Sequence, residues 1–197
     1  MEKFQRIVAP GVPIDGANVD TDQIIPARFL RKPRKAGMGG FLFHDLRFND
    51  DGSEKPDFVL NRAPYRKARV LVAERNFACG SSREHAVYAL QDYGFRAVIA
   101  PSFGDIFHNN SFQNGLLPIV LPAEAAAALR AALHKQPGAT LTVDLAAQRV
   151  EGPEGMSYGF AIDPFRKHCL LEGVDEIGFT LGFKDKIAAY EAAHEAR

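Results

Sequence analysis

The amino-acid sequence predicts an α/β fold, one mixed sheet with flanking helices, and three observations carry that expectation. Short apolar runs at 70–73, 97–101 and 116–121 alternate with stretches of helical periodicity. The first two are separated by about 20 residues, the spacing of a strand–helix–strand unit, which implies parallel neighbours. The chain has 197 residues, 46% of them hydrophobic, enough for one core, and no repeat or low-complexity linker divides it, so 1–197 reads as a single domain.

Taken in order, residues 4–8 alternate loosely and stop before Pro10 and Gly11, a short strand. Residues 13–18 carry turn chemistry. In Asp20-Thr-Asp-Gln-Ile-Ile-Pro26, acidic residues precede an apolar pair, which reads as a capped helical turn. Residues 28–40 are basic and glycine-rich, with Arg28, Arg31, Lys32, Arg34 and Lys35 ahead of Gly37-Met-Gly-Gly40. That composition predicts a flexible loop rather than a packed element, either a solvated face or a mobile flap over an anionic ligand. Aromatic residues at 41–48 pin its far end, and an irregular stretch follows with an apolar anchor at 58–60. After the strand at 70–73, Ala86, Val87, Leu90 and Tyr93 recur at helical spacing and Gly94 stops the helix. Phe103, Ile106 and Phe107 share a helical face before Gly115. Pro122 opens an alanine-rich helix to about residue 135. Residues 140–144 alternate, and 148–151 and 158–162 flank Gly152-Pro-Glu-Gly155 as a hairpin. A short helix at 164–171, another capped by Asp175 and an amphipathic one at 184–194 complete the chain.

The 24 basic and 24 acidic residues balance, so no global field favours nucleic acid or an anionic membrane. No apolar run approaches the ~18 residues of a membrane span, and the N-terminus lacks a secretory apolar core; a cytoplasmic protein is expected. Two cysteines, Cys79 and Cys169, supply neither a four-cysteine cluster set nor a zinc knuckle. No metal site is expected here, and a required metal must come with another chain.

The chain is organised around Glu74-Arg-Asn-Phe-Ala-Cys-Gly-Ser-Ser-Arg-Glu-His-Ala86, a strand-to-helix turn. Helix-start N–H groups lack internal partners and carry the positive end of the dipole, and Arg83 can fork onto a carboxylate. Ser81-x-x-Glu84 also fits a capping box, so capping and anion binding both stand. Three chemistries are compatible with the turn. Cys79 as nucleophile with His85 or His108 as base is one. A phosphate loop is another, although neither GxxxxGK[ST] nor GxGxxG is present. In the third, a serine transfers a proton while helix amides and arginine stabilise its alkoxide and hold a carboxylate.

The stretches Asp20-Thr-Asp-Gln-Ile-Ile-Pro26, Asn76-Phe-Ala-Cys-Gly-Ser-Ser-Arg-Glu-His-Ala86 and Ser102-Phe-Gly-Asp-Ile-Phe-x-x-Asn-Ser-x-x-Asn-Gly-Leu-Leu-Pro118 resemble, in order, those of the 3-isopropylmalate dehydratase small subunits of the aconitase superfamily. The resemblance covers nearly the whole chain, including Asp163-Pro-Phe-Arg-Lys-His-Cys169. It implies the swivelling β/β/α domain of the aconitase type, with a [4Fe-4S] cluster in a large partner subunit and none bound by this chain. It implies interconversion of 2- and 3-isopropylmalate through 2-isopropylmaleate in leucine biosynthesis. By similarity Ser81 is the catalytic base and Ser82 and Arg83 bind a substrate carboxylate. Thr21, Asp22, Glu84 and His85 support them, and the loop carrying Arg28, Arg31 and Arg34 selects the substrate's side chain. Relatives acting on citraconate, maleate or homoaconitate-type substrates share these stretches, and a non-catalytic carboxylate-binding protein is the reading from a different class. Ala78 stands where the family pattern has glycine, a harmless change if the backbone there takes ordinary angles.

Overall fold

The computed structural model describes residues 1–194. Its strands are β1 (Ile7–Pro13), β2 (Val70–Val72), β3 (Ala97–Ala100), β4 (Leu117–Val120), β5 (Thr140–Asp144), β6 (Arg149–Glu151) and β7 (Ser157–Gly159). They form one sheet in the order β4-β3-β2-β1-β5-β6-β7. Strands β1 to β4 are mutually parallel, and β5, β6 and β7 continue from β1 as an antiparallel meander. The helices are α1 (Thr21–Ile24), α2 (His44–Arg47), α3 (Glu84–Tyr93), α4 (Asp105–Asn114), α5 (Ala123–Lys135), α6 (Pro164–Glu172), α7 (Glu176–Leu181) and α8 (Lys184–His194).

The parallel half is covered on both faces, which is why its strands read as unbroken apolar runs. The alternation is explicit in β2. Leu71 joins Val12, Val98, Val87 and Leu90 in one buried cluster, while Val70 and Val72 join Ile99, Ile119, Leu129 and Leu133 in the other. Burying each such aliphatic side chain contributes about 1.5–3 kcal/mol. At the end of α3, Gly94 takes φ +122 and its N–H closes onto the Leu90 and Gln91 carbonyls, as the stop signal required.

The first strand departs from the sequence reading. It starts at Ile7 and continues through Pro10 and Gly11 to Pro13. Proline is tolerated because β1 changes partner there: residues 7–10 pair with β5 and residues 11–13 with β2. Pro10 has no N–H to give, but its carbonyl accepts from the Arg69 N–H at 3.1 Å. Gly11 leaves room for two core side chains: a Cβ there would lie 2.9 Å from the Leu133 and Leu141 Cδ atoms, which would have to shift.

The basic stretch is also more structured than its composition implies. Residues 31–35 are exposed, but the far end forms a 3-10 turn, Met38–Phe41, with Met38 and Gly39 buried. A Cβ at Gly39 would meet the Asp92 and Tyr93 backbone at 2.6 Å, so this turn sits directly on α3. The expectation of no packed element therefore fails at 38–41, where glycine permits close backbone approach.

At the other end, α7 and α8 bury no side chain, and Ile177 and Tyr190 are 71% and 65% exposed. A helix forms at 184–194, but the expected amphipathic face does not: its apolar residues are spread around the axis, and none of its side chains is buried among the described residues. Ending the chain after Phe183, which removes α8 and leaves the Phe179 contact with Phe165 in place, should accordingly shift the melting temperature by no more than a few degrees, since little apolar area is lost. Thermal unfolding followed by circular dichroism checks this, and a drop above ten degrees would contradict it. No helix among the described residues is long and apolar enough to cross a membrane.

Candidate active site

The loops that follow β1, β2 and β3 run side by side past the carboxyl ends of these parallel strands, the position where open α/β sheets bind ligands. Backbone bonds stitch them together. Ala78 N–H donates to the Val19 carbonyl at 2.7 Å and Thr21 N–H to the Cys79 carbonyl at 2.9 Å. On the other side, Phe77 N–H donates to Ser102 and Gly104 N–H to Phe77, at 3.0 and 2.9 Å. The three stretches singled out in the sequence thus become three adjacent walls. Gly104 must be glycine, because a Cβ would stand 2.5 Å from the Ala78 carbonyl oxygen.

Ala78 itself takes φ +57. The expectation that alanine is harmless there is overturned: the turn does require a left-handed residue. That conformation costs an L-residue about 1–2 kcal/mol. Ala78→Gly relieves it, yet loses a buried methyl worth about 0.8 kcal/mol and adds unfolded-chain entropy of similar size. The expected net change is within about 1 kcal/mol of zero, whereas a β-branched Ala78→Val should cost at least ~2 kcal/mol. Urea unfolding of the two variants measures the difference, and equal destabilisation would contradict the assignment.

The capping-box reading of Ser81 and Glu84 is likewise corrected. Helix α3 begins at Glu84 with Arg83 as its N-cap, and no side chain caps it. Ser81 lies too far upstream to reach the third helical N–H, and Glu84 instead accepts from Asn114 Nδ2 at 2.9 Å. A capping box does form one loop earlier, between Asp20 and Gln23 at the start of α1. Among the described residues, the Ser81 and Ser82 hydroxyls have no hydrogen-bond partner, and both residues are exposed. Their hydroxyls are therefore not committed to holding the helix.

Two contacts fix the turn. The Thr21 side chain, 2% exposed, donates from Oγ1 to the Ser81 carbonyl at 3.1 Å, so it holds Ser81 by the backbone while its own N–H holds Cys79. The Arg83 side chain is 14% exposed, and its guanidinium pairs with the more open Asp22 carboxylate. Thr21, Ser81 and Arg83 line a hollow of about 340 Å³ together with Asn76, Cys79, Gly80, Asp105 and Ile106. Ser82, Glu84 and His85 lie outside that lining, and the His85 ring packs edge-on against Tyr88 at 5.7 Å. Sequence reasoning did not single out Asn76 and Asp105 as site residues. Asn76 takes φ +58 and donates from Nδ2 to Asn18 Oδ1 at 2.8 Å, and the available signal was its residue type, since asparagine tolerates left-handed backbone in turns.

The three loop arginines separate. Arg28 forks onto Asp45 and stacks over Phe29 at 4.6 Å, and this hydrogen-bonded guanidinium takes the Asp45 carboxyl down to about 2. Arg34 pairs with Asp92. Arg31 is exposed and has no side-chain partner among the described residues. As for cysteine chemistry, the Cys79 thiol donates to the Asn18 carbonyl at 3.5 Å. His108 packs between Phe103 and Phe112, where burial and then Arg166 push its pKa down. The nucleophile reading therefore gains no thiol–imidazole contact. Both cysteines are free, and Cys169 is buried on α6 away from the hollow. This donor set does not fit an iron–sulfur cluster.

Comparison with known proteins agrees with this architecture. A family model described as the aconitase C-terminal domain matches residues 1–124, and LeuD_N matches residues 127–164. The 3-isopropylmalate dehydratase small subunit of Paramagnetospirillum magneticum is 53% identical over 195 residues, 99% of this chain and 97% of that protein. That of Rhodospirillum centenum is 55% identical over 192 residues, 98% and 95% of the two chains. The crystal structure of 3-isopropylmalate dehydratase (leuD) from Methanocaldococcus jannaschii superposes with a TM-score of 0.68 at 24% identity, over 95% of this chain and 99% of that one. That likeness speaks for the fold, and the expected aconitase-type domain with a mixed sheet is the one found. With more than half of the residues identical along nearly the full length of both chains, the chain belongs to the family of 3-isopropylmalate dehydratase small subunits.

Proposed function

We propose that this chain, joined to a large subunit, forms a cytoplasmic hydro-lyase that converts 2-isopropylmalate into 3-isopropylmalate. Water is removed to give 2-isopropylmaleate and then added back in the other orientation. The observation that carries the residue roles is the hollow in which an uncommitted Ser81 hydroxyl and the Arg83 guanidinium stand at the carboxyl ends of the parallel strands.

Ser81 Oγ takes the carbon-bound proton in the dehydration and returns it in the hydration. A serine can do this only where its alkoxide is stabilised, and the start of α3 and Arg83 supply positive potential there. Arg83 and Ser82 hold a substrate carboxylate, the guanidinium by its planar fork. Thr21 keeps Ser81 in register through its carbonyl, and Asp22 orients Arg83. The basic stretch from Arg28 to Gly40 closes over the substrate's side chain. The [4Fe-4S] cluster is assigned to the large subunit, because the donors of this chain do not fit one.

The test is reconstitution. The chain is mixed anaerobically with a cluster-loaded large subunit, and 2-isopropylmaleate is followed by its ultraviolet absorbance, with citraconate and maleate hydration compared in parallel. Turnover of isopropylmalate is the expected result. Preference for citraconate or maleate would move the substrate while leaving the roles, and complex formation without turnover of any of them would end the catalytic reading.

A further inference from the structure

The proposed substrate-selecting loop ends on the same helix that begins at the active site, and one side chain makes that connection. Asp92, in the last turn of α3, accepts from the Met38 N–H at 2.7 Å and pairs with the Arg34 guanidinium. Arg34 at the same time lies over the Tyr88 ring at 4.3 Å, one turn nearer the helix start. At the Asp92 end, Gly39 lies so close to the helix that a Cβ there would meet the Asp92–Tyr93 backbone at 2.6 Å. The loop is thus gripped at an ionic point and at a steric point, both on α3. Burial acts to raise the Asp92 pKa, but Arg34 and the Met38 N–H outweigh it, and the net direction is down. The carboxylate is therefore charged at neutral pH.

Tyr88 lies about 6 Å along the helix axis from Glu84 and Asp92 about 12 Å. The Tyr88 contact places the Arg34 guanidinium on the side of Asp92 nearer the helix start, where Arg83 lines the hollow. In the resting chain its guanidinium is held by an internal carboxylate, the same chemistry that a dicarboxylate substrate offers. The Arg34 side chain is 45% exposed and that of Asp92 21%, so water reaches the pair from the arginine side and its strength is modest enough for exchange with another carboxylate.

We propose that Asp92 is a positioning residue that clasps the basic loop to α3, setting the loop's resting position and releasing Arg34 when an anionic substrate enters. The substrate-dependent part rests on the function proposed above, and the clasp itself does not. Two readouts keep them apart. The first needs no activity. Arg31, Arg34 and Lys35 are exposed trypsin sites within the clasped segment, and Asp92→Asn keeps an acceptor for the Met38 N–H while removing the charge. Brief trypsin digestion of the full chain, read by mass spectrometry, should cut this segment about fivefold faster in Asp92→Asn than in the parent. Asp92→Glu should restore most of the protection, and Arg34→Met should expose Arg31 and Lys35 as Asp92→Asn does. The second readout is the reconstituted complex, where Asp92→Asn should change KM for isopropylmalate about fivefold while kcat stays within about twofold. Unchanged cleavage in both variants overturns the clasp even if the parent complex is inactive. Faster cleavage with an unchanged KM in an active complex overturns the positioning role and leaves the proposed reaction standing.

Discussion

Ser81→Ala in the reconstituted complex is expected to lower kcat by about 10³-fold, with KM changed by less than about threefold, because a proton-transfer group contributes about 10²–10⁴. The split between the two constants is what identifies the role. Ser81 is exposed, and its contact with Thr21 runs through the backbone carbonyl. Removing the hydroxyl therefore leaves the fold and the turn in place, and the melting temperature should not move. A loss in KM alone would make Ser81 a binding group, and a kcat within tenfold of the parent would remove it from the chemistry. Ser82→Ala is the internal control: that residue stands outside the lining of the hollow and, as a binding group, should move KM more than kcat.

The sheet and most helices were legible because their signals are local. Apolar runs of four to six residues, Gly94 and Gly115 as stops and Pro122 as a start all describe the chain within one turn of itself. The failures share one physical cause, which is that a partner from a distant segment overrode the local preference. Pro10 reads as a strand breaker until β5 and β2 are known to meet β1 on either side of it. Ala78 reads as harmless until the loops from Val19 and Ser102 are seen to force its backbone left-handed. Ser81 reads as a cap until the helix is seen to begin at Glu84. In the site, Ser81 and Arg83 were visible because they lie in one short stretch beside a glycine. Asn76 and Asp105 came from the edges of two stretches and had no shared pattern. The clasp at Asp92 was invisible for the same reason, since its two donors lie more than fifty positions away.

The second large effect is at Arg83. Arg83→Lys keeps the charge but loses the planar fork, and at a bidentate carboxylate site that is not a conservative change. A charge-assisted hydrogen bond is worth about 1.5–3 kcal/mol, so kcat/KM should fall about 10²-fold, chiefly through KM, since a carboxylate is gripped in ground and transition state alike. Asp22 gives the comparison that separates binding from packing. It is the partner of Arg83 in the free chain, but 56% of its side chain is exposed. Such a pair is worth only about 0–1 kcal/mol, so an incoming carboxylate can share or displace Asp22 at small cost. Asp22→Asn should therefore change kcat/KM by less than about fivefold. Its sign is informative. A fall means that Asp22 aligns the guanidinium for the substrate, as proposed, and a rise means that it competes for the same fork. If Arg83→Lys proved as mild as Asp22→Asn, the carboxylate would have to be held elsewhere, and Arg31, exposed and without a side-chain partner among the described residues, would be the next residue to replace.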